Sequence, residues 1–420
     1  MNTNEFKTLY DTPSLRSESF ETEKFTTQNI ILSTYKLIDE KASLGTLCSR
    51  LIGRATKKFD STYKLTRYLY SLNGALFKAN TIKLGDYQVF LLAIKILNQE
   101  LAEENLFNKA IELLKEIFLS PLLVNGKFKE DYFNEEKNNL LSEIRDLIND
   151  RSRYAIEKFI KIMCKNEKFG LSNLGSEEEV NKISNSELSY YYSDEILREN
   201  RFLHFIGEFK KEDMERVVDI FKVTSKPKED KEECIEIITK HKPEVVVEEE
   251  QIQQTWLFMG YRHNIQSNSP LYGALLLFNA IFGKFSTSRL FVSLREKMGL
   301  CYYIRSSLPA NKNILIVSSA LMWKNYKNIV ENTEKIRLNI TKEIRDSEFD
   351  TAKKLVVSGL NSIGDDPLNL ISLRIEFLLK DPSMNLGKLK KWVEETKKAY
   401  VKKVANELWL DTIYALKGEM

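Results

Sequence analysis

Histidine is nearly absent from this sequence. The 420 residues hold three, His204, His241 and His263, and no two lie within a helical turn or two of each other. Chemistry that needs a local histidine pair is therefore excluded. Cysteine is almost as scarce. Cys48, Cys164, Cys234 and Cys301 are scattered with no CxxC pair, which argues against a cysteine zinc site and for a reduced, cytoplasmic compartment. An excess of either charge is missing too: 63 basic residues against 60 acidic ones leave a net +3. Neither nucleic acid nor an anionic membrane is expected as a partner. GxSxG elbows, GxxxxGK[ST] phosphate loops and GxGxxG turns do not occur, nor does any histidine–glutamate metal motif. The longest apolar run, around Leu271 to Phe282, is too short to span a bilayer. The N-terminus, MNTNEFKTLYDTPSLRSESFETEKF, has no apolar centre and is not expected to act as a secretory signal.

What is present is an ordinary globular composition, 43% hydrophobic and 29% charged, with enough apolar residues for large cores. The length favours about two to four domains. Residues 222–250, KVTSKPKEDKEECIEIITKHKPEVVVEEE, are dense in charge and carry two prolines. They read as a linker with one or two short strands, separating a domain of residues 1–221 from one of residues 251–420. In the first domain, Asn29 to Leu37 reads as a strand, followed by helices near 43–56 and 62–73 and extended segments from Ala75 to Leu97. FNKAIELLKEIF is an amphipathic helix ended by Ser120-Pro121, charged helices fill 129–185, and RFLHFIGEF is a strand. In the second, QQTWLFMGYR is a strand, and SPLYGALLLFNAIFG and TSRLFVSLREK are helices. CYYIRSSL and ILIVSSAL are strands, and helices follow near 325–345 and 347–363. Without regular βαβ alternation, the expected fold is α+β. Two α/β sandwich domains of related order are expected, each a mixed or antiparallel sheet packed with helices, as after a duplication.

LREKMGLCYYI, residues 294–304, runs from a helix through Gly299 into a strand and sets Arg295 and Tyr302 seven positions apart. The longer stretch STSRLFVSLREKMGLCYYI resembles the C-terminal-domain signature of the pitrilysin-type zinc peptidases, the family of insulysin and the mitochondrial processing peptidases. IFGKFSTSRLF and DSEFDTAKKLVVSGL fit the same pattern. PLLVNGKFKEDYFNEEKNNLLSEI is similar to the segment carrying that family's distal glutamates, and RYAIEKFIKIMCKNEKFGLSNLGSEEEVNKIS to the stretch after it. The resemblance runs from about residue 28 to residue 400.

Active members carry an inverted zinc motif, HxxEH, whose histidines hold zinc while the glutamate activates the metal-bound water. Alignment on the threonine of GRATKK places Thr46-Leu47-Cys48-Ser49-Arg50 on that motif. Thr46 and Arg50 then replace the histidines and Ser49 the general base. Threonine is a poor zinc ligand, and serine cannot take a proton from water at pH 7. Arginine offers no lone pair and puts a cation where the metal would be. Glu143 matches the third ligand and Glu136 its accompanying acid, a spacing that sets both on one helix face. Glu143 is expected to pair with Arg50. Without the resemblance, the two glutamates read as a solvated helix face.

In the family, an arginine and a tyrosine at the spacing of Arg295 and Tyr302 bind the substrate carbonyl beside the scissile bond. A guanidinium and a phenol suit an oxygen that gains negative charge. Tyr303 is the rival, and strand alternation would send it to the opposite face from Tyr302. The resemblance thus implies a non-catalytic subunit of a heterodimeric zinc peptidase, holding no zinc itself. Its partner would be a catalytic subunit of the same family carrying HxxEH and the zinc. This chain would add Arg295, Tyr302, half of a chamber and a sheet edge for a peptide substrate. Peptide maturation is the implied process, and the Lys-, Asn- and Ile-rich composition points to an AT-rich bacterial genome. Two other readings stand beside it. One is a stand-alone peptide-binding protein on an inactivated peptidase fold. The other is a hydrolase using Cys48 or Ser49, although no histidine lies near either in sequence. His263 reads as a solvated residue, the Tyr190-Tyr191-Tyr192 run as packing, and LGKLKKWVEETKKAYVKK as a solvated helix face.

Overall fold

The computed structural model describes residues 5–102, 105–222 and 241–418. They form two compact units, one of residues 5–146 with 171–222, the other of residues 147–170 with 241–418. Each is built on a single main sheet.

The first unit contains β1 (Lys7–Thr12), β2 (Leu15–Phe20), β3 (Thr27–Leu37), β4 (Leu76–Leu84) and β5 (Tyr87–Leu97). A short pair, β6 (Leu123–Val124) and β7 (Lys127–Phe128), precedes β8 (Arg201–Ile206). The main sheet runs β1-β2-β8-β3-β5-β4, so β4 is an edge. Strand alternation sends Ile30 and Leu32 of β3, and Phe90, Leu92, Ile94 and Ile96 of β5, to one face. There they pack with Leu44, Leu47 and Leu51 of helix Ala42–Ile52 and with helix Leu106–Leu119. The latter helix opens with the Asn105 side chain accepting from the Asn108 N–H and stops before Pro121, which cannot continue it. Between β4 and β5, Gly85 turns the chain at φ +59°, where a Cβ would be strained.

The second unit contains β9 (Glu244–Glu249), β10 (Thr255–Arg262), β11 (Cys301–Ser307), β12 (Ile314–Leu321) and β13 (Trp409–Lys417), in the order β11-β12-β10-β13-β9. β10 is antiparallel to β12 and β13, and β9 is parallel to β13. The first sheet repeats this: β3 is antiparallel to β5 and β8, and β2 is parallel to β8. Thus β4-β5-β3-β8-β2 and β11-β12-β10-β13-β9 share one order and one set of directions.

The sequence reading and the structure part in three places. Helix Arg151–Met163 precedes the charged segment yet groups with the second unit. Its stripe of Ala155, Phe159 and Met163 covers Phe258, Ile316 and Tyr414, and the Phe159 and Phe258 rings stack 5.6 Å apart. Within the expected linker, residues 223–240 lie outside the described residues, whereas Glu244–Glu249 is a full edge strand of the second sheet. β1, β2 and β13 had no separate sequence signal. None of the described helices is long and apolar enough to cross a membrane.

Candidate functional site

In the first unit, helix Ala42–Ile52 is buried nearly all round, so its polar residues must find partners inside. The Thr46 hydroxyl donates to the Asn173 carbonyl at 2.7 Å and lies 2.8 Å from the Thr81 hydroxyl of β4. Asn173 in turn donates to the Thr81 hydroxyl at 3.0 Å and accepts from Gln88 of β5 at 2.9 Å. The Ser49 hydroxyl, also buried, donates to the Thr46 carbonyl at 2.8 Å. Cys48 is wholly buried among apolar side chains, and that burial pushes its thiol pKa far up. It is an inert core thiol, and it gives the nucleophile reading no support.

The last turn of the helix faces helix Glu130–Asp146, which presents Glu136 and Glu143 on one face. Arg50 Nη2 donates to Glu143 Oε2 at 2.5 Å, the pairing that the sequence suggested. Glu136 is no solvated residue. It is buried and accepts from Arg54, one helical turn beyond Arg50. Arg54 also donates to Glu135 at 2.8 Å and to the Thr62 hydroxyl at 3.1 Å, and lies 4.7 Å over the Tyr132 ring. Burial works against the Arg54 charge, but its bonds to Glu135 and Glu136 outweigh this and hold its pKa above the ordinary value. These residues do not fit a zinc ion. The Thr46 oxygen is committed to a neutral hydrogen-bond cluster, and the Arg50 guanidinium occupies the carboxylate that would complete a metal site. Two arginine–carboxylate pairs tie the helices instead.

In the second unit, Arg295 lies on Phe291–Lys297, a segment with wide π-type turns, a distortion frequent at functional sites. It ends where Leu300 N–H donates to the Leu294 carbonyl at 2.9 Å and Gly299 takes φ +60°, the left-handed position that favours glycine. The Arg295 guanidinium sits 4.6 Å from the Phe291 ring centroid and has no carboxylate partner among the described residues. Tyr302 follows at the start of β11, 60% exposed, and Tyr303 is 41% exposed. Both tyrosines are open, where simple alternation would have buried one. The register of β11 against β12 shifts between Cys301 and Tyr303, and this bulge breaks the alternation.

Residues 182–356 match the family model described as the peptidase M16 inactive domain. Over 419 residues the chain is 27% identical to the probable inactive metalloprotease YmfF of Bacillus subtilis, covering 99% of this chain and 98% of that protein. The chain is thus similar to metalloprotease-type proteins, and its match to the M16 inactive-domain model spans residues 182–356. Two solved structures share its fold. A conserved protein from Enterococcus faecalis superimposes with a TM-score of 0.89 at 22% identity, with 99% of each chain covered. The peptidase M16 inactive domain from Pseudomonas fluorescens gives 0.80 at 15% identity, covering 99% of this chain and 98% of that one.

Three features of this chain escaped the sequence. Arg54 stands in the quoted GRATKK, but nothing local says that it reaches Glu136. Gln88 and Asn173, which hold Thr46, come from distant segments. His263 is 2% exposed rather than solvated; its Nδ1 accepts from the Ile265 N–H at 3.3 Å, and burial lowers its pKa to about 4. Of the tyrosine run, Tyr191 and Tyr192 pack into the core, whereas Tyr190 is exposed.

Proposed function

We propose that this chain is the non-catalytic subunit of a heterodimeric zinc peptidase that processes peptides in the bacterial cytoplasm. It lends Arg295 and Tyr302 to the zinc site of a partner bearing HxxEH. One contrast carries the reading. On the helix where active members hold metal, Arg50 is spent on Glu143. Tyr302, by comparison, is open to solvent, and Arg295 has no ion pair among the described residues. An arginine without a carboxylate beside an exposed phenol is arranged to donate to a ligand oxygen. The nine-residue edge strand β4 supports the peptide part, because its outer backbone groups can pair with an extended chain. Zinc belongs to the partner in this scheme.

The test is affinity purification of the tagged chain from its source cells, with the partner identified and zinc counted. A similar-sized chain bearing HxxEH, with one zinc per pair, is the expected result. In that complex Arg295→Ala should lower kcat by about 100-fold or more without loss of assembly, the scale of removing one oxyanion donor. Unchanged cleavage would remove the proposed role in trans. Recovery of the chain alone, without zinc, would favour a stand-alone peptide-binding protein, which the open edge of β4 also accommodates.

A further inference from the structure

Charge nearly balances over the whole chain but not around β11. Between residues 280 and 325 stand Lys284, Arg289, Arg295, Lys297, Arg305, Lys312 and Lys324, against Glu296 as the sole acid. Arg289 is paired with Glu348, and Lys312 with Glu167 at 2.8 Å. The other five cations have no carboxylate partner among the described residues. β11 is an edge strand with a strand neighbour on one side only. Its exposed positions are Tyr302, Tyr303, Arg305 and Ser307. Opposite Tyr303 and Arg305 on β12 stand Ala320 and Ser318, too small to cover them.

We propose that β11 is a recognition strip for an acidic peptide, whose carboxylates are taken by Arg305, Arg295 and Lys284 while its backbone lies beside the strand and the two tyrosines. The inference rests on Arg295 and Tyr302 being substrate-holding residues, and it adds the substrate's charge. Lys284 supports it independently. Half-buried, it has its amine pKa lowered first by burial and then by the positive charge of Arg305. Two cations held near each other with no anion between them are relieved when a ligand brings one. A peptide suits the place better than a nucleic acid. The free side of β11 offers backbone donors and acceptors that an extended peptide can match and a phosphate chain cannot.

The experiment uses the full chain and fluorescence anisotropy with labelled peptides of alternating Glu-Thr, Gln-Thr and Lys-Thr, about ten residues long, and a thymidine oligonucleotide of equal length. At near-physiological salt the Glu peptide should bind about 8-fold more tightly than the Gln peptide, the product of three charge contacts at about twofold each. The Lys peptide should bind most weakly. Arg305→Gln, an exposed position with no carboxylate partner among the described residues, should cut the preference for the Glu peptide to about fourfold; Arg305→Lys should restore most of the difference. Lys284→Gln should act in the same direction. Equal binding of Glu and Gln peptides would overturn the acidic preference while leaving peptide holding intact. Tighter binding of the oligonucleotide than of the Glu peptide would overturn the proposal in favour of a nucleic-acid surface. Binding of none of the peptides would remove the peptide-holding reading itself, and this inference with it.

Discussion

Arg54→Ala should destabilise the protein more than Arg50→Ala, although Arg50 is the residue that the resemblance sets on the zinc motif. Removing Arg54 leaves Glu136 behind, with a side chain 12% exposed and its charge unpaired. Breaking a buried ion pair from one side costs about 3–5 kcal/mol. The Arg54 side chain is itself 19% exposed, so the figure is discounted for solvent screening to about 2–3 kcal/mol, part of it the lost contact with the Tyr132 ring. Arg50→Ala takes one partner from Glu143, which is 38% exposed and can be resolvated, so its cost is about 0.5–1 kcal/mol. In a thermal melt this separates a fall of about 5–10 °C from one of about 1–4 °C. The double variant Arg54→Met with Glu136→Leu should recover most of the loss, because it leaves no buried charge without a partner. Glu135 is exposed enough to stand alone. A melt in which Arg50→Ala costs as much as Arg54→Ala would refute the idea that enclosure, rather than place in the motif, sets the strength of these pairs.

Three further outcomes are expected. Glu376 accepts from the Asn311 N–H at 3.3 Å, and burial pushes its pKa up to about 7 from 4.5. The fold thus prefers the neutral acid, so its stabilising effect is complete below pH 4.5 and is lost as pH rises through 7. Glu376→Gln should flatten that slope and, by melts at pH 8, gain on the order of 1–2 kcal/mol after discounting for partial exposure; an unchanged slope would refute the assignment. In a Cys234→Ser background, Cys48, Cys164 and Cys301 should resist a thiol reagent in the native protein and react on denaturation, since all three are buried. Fast labelling of Cys48 would revive the nucleophile reading. Finally, the triple variant Thr46→His, Ser49→Glu, Arg50→His should release Glu143 from its ion pair and take up about one zinc per chain by elemental analysis. Zinc no higher than in the parent would show that these positions do not superimpose on the metal motif.

How far the sequence reached varied by element. Helices Ala42–Ile52 and Leu106–Leu119 and strands β3, β10 and β12 were visible because apolar periodicity and Pro121 are local signals. β9 is one of the short strands expected in the charged run, but its bounds and its sheet were not legible, because an edge strand buries only one face and leaves Val245 and Val247 exposed between glutamates. Helix Arg151–Met163 showed its apolar stripe in sequence but not which sheet would receive it. The bulge at Tyr302 was invisible, since it depends on pairing with β12.

The sequence by itself determined what the side chains of residues 46–50 cannot do. Whether a side chain owns a lone pair for zinc or a proton acceptor for water is a property of the residue, so Thr46, Ser49 and Arg50 settle it before any folding. It also determined the order of the elements, since periodicity is written along the chain. Only the tertiary structure decided which carboxylates the arginines of this segment meet. The contacts of Arg50 with Glu143 and of Arg54 with Glu136 span 93 and 82 residues, and nothing local distinguishes Glu136 from any other glutamate on a charged helix. Likewise His263 is neutral and buried, and Arg295 unpaired, because of what the fold packs against the first and leaves away from the second. Pairing and burial are properties of neighbours, and neighbours exist only once the chain has closed on itself.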